Sequence, residues 1–210
     1  MPVIYTVDPE KPEPVSIGDA ARCLAGGGVV VFPTRCLYGL AVDALNPNAV
    51  EKIFRIKGRS PQKPILILVA GMPALERVVY PPGPASLKLA HYFWPGRVTI
   101  IFKALPALPA NLSAGTGHIG VRLPSHPVAR AFVSAAKGPI TGTSANLAGR
   151  PGCSTISSLD PALVDQVDMV LDAGPLKGGA GSTVVDAQQT PPQVLREGTV
   201  STAEITAVLD

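Results

Sequence analysis

Lys52, Arg55, Lys57, Arg59 and Lys63 crowd into the short stretch ending at Pro64, with only Glu51 beside them, in a chain of 210 residues whose formal charge is just +3. A planar arginine fork next to a compact lysine charge suits a phosphate or a carboxylate. Arg122 and Arg196 recur later in strand-like surroundings, and Ser144, Asn146 and Ser182 offer neutral hydrogen-bonding groups in turns. No pair of carboxylates stands out as an acid/base couple. The candidate site is therefore cationic and neutral-polar, and positioning with charge stabilisation would do most of its work, as when a phosphate ester carries the reactivity. No residue is expected to act as a covalent nucleophile. In Gly142-Thr-Ser-Ala-Asn146 the last residue stands where a nucleophile elbow has its second glycine, and no suitable helical pattern follows.

Each candidate has a plainer alternative. Cations in a last helical turn complement the helix dipole and need no ligand, but Arg59 and Lys63 lie beyond the expected stop at Gly58. An arginine inside a strand is costly unless it is paired or lines a cavity, and exposure at a sheet edge is the other option for Arg122. Ser144 and Asn146 could serve a ligand or satisfy their own turn. Asp172 and Asp186 each close a strand, where they could hold Mg²⁺ or merely start a turn. Gly115-Thr-Gly-His-Ile-Gly120 spells G-x-G-x-x-G but precedes a strand where the dinucleotide fingerprint needs a helix. Lys177 precedes the last glycines of its Gly-rich stretch, so that stretch is no Walker A motif.

The elements that must position these groups follow from apolar periodicity. Val50, Ile53, Phe54 and Lys57 share one helical face from about Pro47 to Gly58. Helices are also expected over 16–25 with Ser16 as a cap, and over 73–79, 84–93, 127–136 and 202–209. The run 28–33 reads as a strand covered on both faces, followed by a polar loop over 34–39. Further strands are expected over 64–69, 97–103, 119–123, 167–171, 182–186 and 193–196, with a short one after Pro139. Helices alternate with strands early and strands cluster late. That order predicts an α/β fold with a mixed sheet.

Length fits one domain over residues 1–210. The 23 Pro and 21 Gly stay below the roughly 25–30% that marks low complexity, so many loops should separate ordered elements. The first eight residues lack the charged and apolar regions of a secretory signal, and no apolar run is long enough to span a membrane. Three scattered cysteines fit reduced thiols in the cytoplasm, and the spacing of His and Cys matches no metal motif. Aromatic residues at 5% argue against a stacking platform for single-stranded nucleic acid.

Phe32-Pro-Thr34 with Tyr38-Gly-Leu40, Lys57-Gly-Arg59 with Lys63-Pro64, Trp94-Pro-Gly96 with Thr99, Val121-Arg-Leu-Pro124 with His126-Pro127, Ser144-Ala-Asn146, Ser182-Thr-Val-Val-Asp186 and Leu195-Arg-Glu-Gly198 occur in this order. Together they resemble the YrdC-like family of threonylcarbamoyl-AMP synthases, in a short form without an extra C-terminal domain. The resemblance implies a twisted open sheet with a concave basic face for ATP and L-threonine. Threonine's amine would capture bicarbonate or CO₂, the carbamate would attack the α-phosphate of ATP with Mg²⁺ in attendance, and pyrophosphate would leave. Partner enzymes would then use the product to modify tRNA. Lys57, Arg59, Lys63, Ser144, Asn146 and Arg196 would serve the nucleotide, and Thr34, Cys36, Arg122 and Ser182 the threonine. Replacing Lys57 or Arg59 with Ala should then slow turnover far more than it disturbs folding. Arg35, Cys36 and Leu68 depart from the family's usual residues. They leave room for a paralogue with another carbamoyl or nucleotide substrate, and the basic surface leaves room for a non-catalytic binder of tRNA or double-stranded RNA.

Overall fold

The computed structural model describes residues 1–210. Strand β1 (Val3–Thr6) is followed by helix α1 (Pro14–Ala25), and β2 (Val30–Pro33) turns directly into β3 (Tyr38–Ala41). Helix α2 (Pro47–Lys57), the two-residue β4 (Ile67–Leu68), α3 (Met72–Leu75) and α4 (Pro84–Phe93) lead to β5 (Val98–Lys103) and β6 (His118–Arg122). Then come α5 (Pro127–Ala136), β7 (Ile140–Thr141), β8 (Thr143–Ser144), α6 (Pro161–Val164), β9 (Met169–Asp172), β10 (Thr183–Asp186), β11 (Gln193–Arg196) and α7 (Thr202–Leu209). No helix is long and apolar enough to cross a membrane.

The strands form two mixed sheets where the sequence suggested one. The first runs β1-β9-β2-β3-β8 and the second β11-β10-β5-β6-β4-β7. The division falls at Gly142, between β7 in the second sheet and β8 in the first. A Cβ there would lie 2.7 Å from Leu66 Cδ1 and 2.9 Å from Leu68 Cγ, so the chain passes from sheet to sheet where a side chain would collide.

Strand β2 is covered on both faces, and its alternation divides the core. Val30 and Phe32 pack with Ile17, Ala20 and Leu24 of α1 and with Val128, Phe132 and Val133 of α5. Val29 and Val31 point the other way, into a larger cluster that takes in Val50, Ile53 and Phe54 of α2 and Ile100, Phe102 and Val121 of the second sheet. That larger cluster joins the two sheets.

Several local expectations change. Tyr38 and Gly39 belong to β3, paired with Pro33 and Phe32, because Thr34 closes a tight turn and the chain returns at once. The Met1–Asp8 stretch contributes an edge strand parallel to β9, whose half-exposed Val3 and Ile4 gave no clean pattern. Ser16 does not cap α1: Pro14 opens the helix at its first turn and the Ser16 hydroxyl donates to Glu13 O at 2.9 Å. Only Ile67 and Leu68 of 64–69 enter a ladder, and the 73–79 helix shrinks to α3.

Candidate active site

The turn between β2 and β3 supplies one wall of a cavity. Thr34 closes it with both its amide, 3.1 Å from Leu37 O, and its hydroxyl, 2.5 Å from the same oxygen. Gly178 N donates to Cys36 O, and Tyr38 N to Cys153 O, so later loops brace the turn from outside. The Tyr38 hydroxyl lies 2.7 Å from Gly174 O and accepts from Ala173 N at 3.1 Å. Burial holds that phenol well above its ordinary pKa, outweighing the Ala173 amide.

Both sheets line the cavity, which measures about 360 Å³. Its wall carries five arginines, Arg35, Arg59, Arg97, Arg122 and Arg196, and no Asp or Glu. The chain's single ion pair, Arg22 with Asp19, lies elsewhere. Backbone carbonyls hold three of the arginines without neutralising them. Arg59 donates to Lys63 O (3.1 Å) and Pro64 O (2.8 Å), Arg97 to Thr199 O (3.2 Å), and Arg196 to Ser182 O (2.7 Å). Arg122 Nε is buried with no partner. Burial, and then the charge of Arg196, pushes the Arg122 pKa down to about 10, and the same two causes lower Arg59. Arg59 and Arg122 thus both feel the charge of Arg196. Thr99 and Ser182, both buried, share a hydroxyl contact of 2.8 Å at the cavity floor. Such a wall can hold an extended polyanion and stabilise charge that develops on it.

Of the residues expected from sequence, Thr34, Cys36, Arg59, Arg122, Ser144, Ser182 and Arg196 come together on this wall, while Lys57, Lys63 and Asn146 do not. Lys57 is only 2% exposed. Its ammonium lies behind the wall, donating to Ser144 O, to Asn146 O at 2.6 Å and to Asn146 Oδ1 at 3.4 Å. Burial, with Arg59 adding repulsion, lowers its pKa to about 8. The reason is local: α2 ends at Gly58 in the left-handed region (φ 57°), which turns Lys57 inward and lets Arg59 swing out. Asn146 faces its own loop, donating to Leu147 O and Arg150 O. Lys63 is exposed and offers the wall only its carbonyl.

Arg97 and His126 line the cavity although the sequence reading gave them no ligand role, and Arg35, a departure from the family pattern that could add a cation for an anion, lines it too. Arg97 was legible only as the start of a strand after Trp94-Pro-Gly96, and His126 only as part of a motif. Asp172 and Asp186 accept from the amides of Gly174 and Gln188, both at 2.9 Å, so each starts a turn. No three side chains of His, Cys, Asp or Glu gather to hold a metal. With no carboxylate on the wall, the residues present do not fit a protein-held Mg²⁺.

The fold is of the α/β class, and residues of both its mixed sheets line the arginine-rich cavity. Residues 22–198 match the Sua5/YciO/YrdC domain model, described as telomere recombination, and the chain belongs to that family. It is 32% identical to the threonylcarbamoyl-AMP synthase of Pyrococcus abyssi over 200 residues, covering 95% of this chain and 59% of that protein. The crystal structure of P. abyssi Sua5 complexed with L-threonine superposes with a TM-score of 0.91 at 31% identity, over 98% of this chain and 60% of that one. Escherichia coli YciO superposes at 0.85 with 27% identity, over 98% of this chain and all of its own. The chain thus spans about three-fifths of the P. abyssi protein and the whole of YciO.

Proposed function

We propose that residues 1–210 act as one unit that makes threonylcarbamoyl-AMP and pyrophosphate from L-threonine, bicarbonate or CO₂, and ATP. The observation that carries this reading is the group of five arginines around one cavity with no carboxylate to answer them, which a triphosphate would satisfy. Arg59 and Arg196 would grip the phosphates, helped by the Ser144 hydroxyl. Arg122 and Ser182 would hold the amino acid, whose carbamate oxygen would attack the α-phosphorus in line with the departing pyrophosphate. The wall would contribute positioning and positive charge rather than a covalent intermediate. Lys57 and Asn146 support the site indirectly by fixing the turn that presents Ser144. Mg²⁺ would arrive on the triphosphate. The product would pass to partner enzymes that modify tRNA, in the cytoplasm.

The test is pyrophosphate release by the purified protein with ATP and bicarbonate, with and without L-threonine. Release that requires threonine is the expected result, and release that ignores it would end this reading. A second reading, a paralogue acting on another amino acid, draws support from Arg35 and Cys36, which both line the cavity. The same assay with the other amino acids separates the two.

A further inference from the structure

We propose that His126 is the general base that takes a proton from the amino group of the amino-acid substrate. The inference rests on the reading above and names a residue for a step that reading leaves without one. At neutral pH an amino acid carries an ammonium group, whose nitrogen has no lone pair to offer a carbon atom until a proton leaves. Proton acceptors on the cavity wall are few. It has no carboxylate, and its five arginines have no lone pair to give. The Tyr38 phenol is engaged by Gly174 and Ala173. His126 and the Cys36 thiol remain.

Geometry separates these two. His126 is the residue before α5, held in extended backbone (φ −67°, ψ 131°) by Pro127. Its Nδ1 is buried without a hydrogen-bond partner, as is Nε of Arg122. Asn111 Oδ1 is the chain's third such side-chain atom, and it does not line the cavity. A buried polar atom left unpaired costs about 1–3 kcal/mol, and Arg122 and His126 both line the cavity, so a ligand that reached both atoms would relieve both. Arg122 Nε is a donor, and with the ring proton on Nε2, His126 Nδ1 is an acceptor. One matches a carboxylate and the other an ammonium, the two head groups of an amino acid.

The electrostatics agree. Burial lowers the proton affinity of His126 and so favours the neutral ring, with Glu10 on the loop after β1 pulling the other way. Arg122 of β6 lines the same cavity. In the step, the ammonium passes one proton to Nδ1, giving a neutral amine and an imidazolium. The amine lone pair then forms the N–C bond. With CO₂ the second nitrogen proton goes to solvent and leaves the carbamate, and with bicarbonate that proton goes to a departing hydroxyl, which leaves as water.

The experiment measures kcat/KM for L-threonine, by pyrophosphate release, from about pH 5.5 to 9. The proteins are the unaltered chain, His126→Gln, His126→Gly and Cys36→Ser, each checked for native circular dichroism. The unaltered chain should lose activity on the acid side. His126→Gln should fall about 100-fold and lose that acid limb, while its affinity for a non-hydrolysable ATP analogue, by calorimetry, stays unchanged. Added imidazole should restore part of the activity of folded His126→Gly. A His126→Gln protein that keeps its rate and acid limb overturns the proposal, as does an acid limb that disappears in Cys36→Ser instead. Folded His126→Gly that ignores imidazole also overturns it. If the unaltered chain releases pyrophosphate without regard to threonine, the synthase reading fails together with this one. Threonine-dependent release with an unaffected His126→Gln removes the base alone.

Discussion

Lys57 shows how one residue can be read correctly by one physical argument and misplaced by another. Its spacing from Val50, Ile53 and Phe54 puts it on the buried face of α2, and its charge suggested a ligand; the spacing prevailed. Its ammonium now ties α2 to the Ser144–Asn146 turn. Lys57→Met should therefore leave three oxygens without their donor and lower stability by about 2–4 kcal/mol, measured by urea unfolding, which reverses the expectation that folding would be spared. The pH dependence has a definite sign. With a folded pKa near 8 against an ordinary 10.5, the unfolded chain binds the extra proton between those values, so this group's contribution to stability rises as pH climbs through that window. The stability difference between the native chain and Lys57→Met should widen from pH ~7 to pH ~9.5. Arg122 was the opposite case. The cost of a charged group inside a strand was visible in the sequence, and the cavity is what makes it tolerable. His126 could not be found that way, since one ring nitrogen's isolation depends on how the start of α5 meets the neighbouring loops.

At the scale of elements, legibility followed local signals. Helices α4, α5 and α7 begin and end where the sequence suggested, because proline at the first turn or a Ser201–Glu204 capping box marks their starts. Of the two-residue strands in this region, β7 falls on the short strand expected after Pro139, while β8 left no such trace. β7 and β8 are defined by partners distant in sequence, Ile67 with Leu68 for the first and Gly39 with Leu40 for the second. The glycine between them is the element most exposed to a test. Gly142→Ala would press a methyl group into Leu66 and Leu68, which overpacking experience puts at about 1–3 kcal/mol of lost stability. Thermal unfolding should register a lowered Tm. An unchanged Tm would mean that Leu66 gives way freely and that the crossing between sheets is not tight.

For the molecule as a whole, the division into two sheets matters more than the number of strands. A single mixed sheet was the natural reading of strands clustered late in the chain. Pairings with large sequence separation, such as β3 with β8 and β10 with β5, decide instead which strands join, and periodicity does not encode them. The arginines come from both halves, so a bound polyanion should brace the sheets against each other. Adding pyrophosphate or an ATP analogue should raise Tm in a concentration-dependent way, by mass action on the folded state; no shift at saturating ligand would contradict the shared cavity. The solitary Arg22–Asp19 pair has a consequence here. A fold with so little charge attraction between its own side chains gives sodium chloride almost nothing to weaken, while the guanidinium groups' hold on a polyanion is open to screening. Ionic strength should then act as a selective solvent variable that empties the protein and leaves it folded.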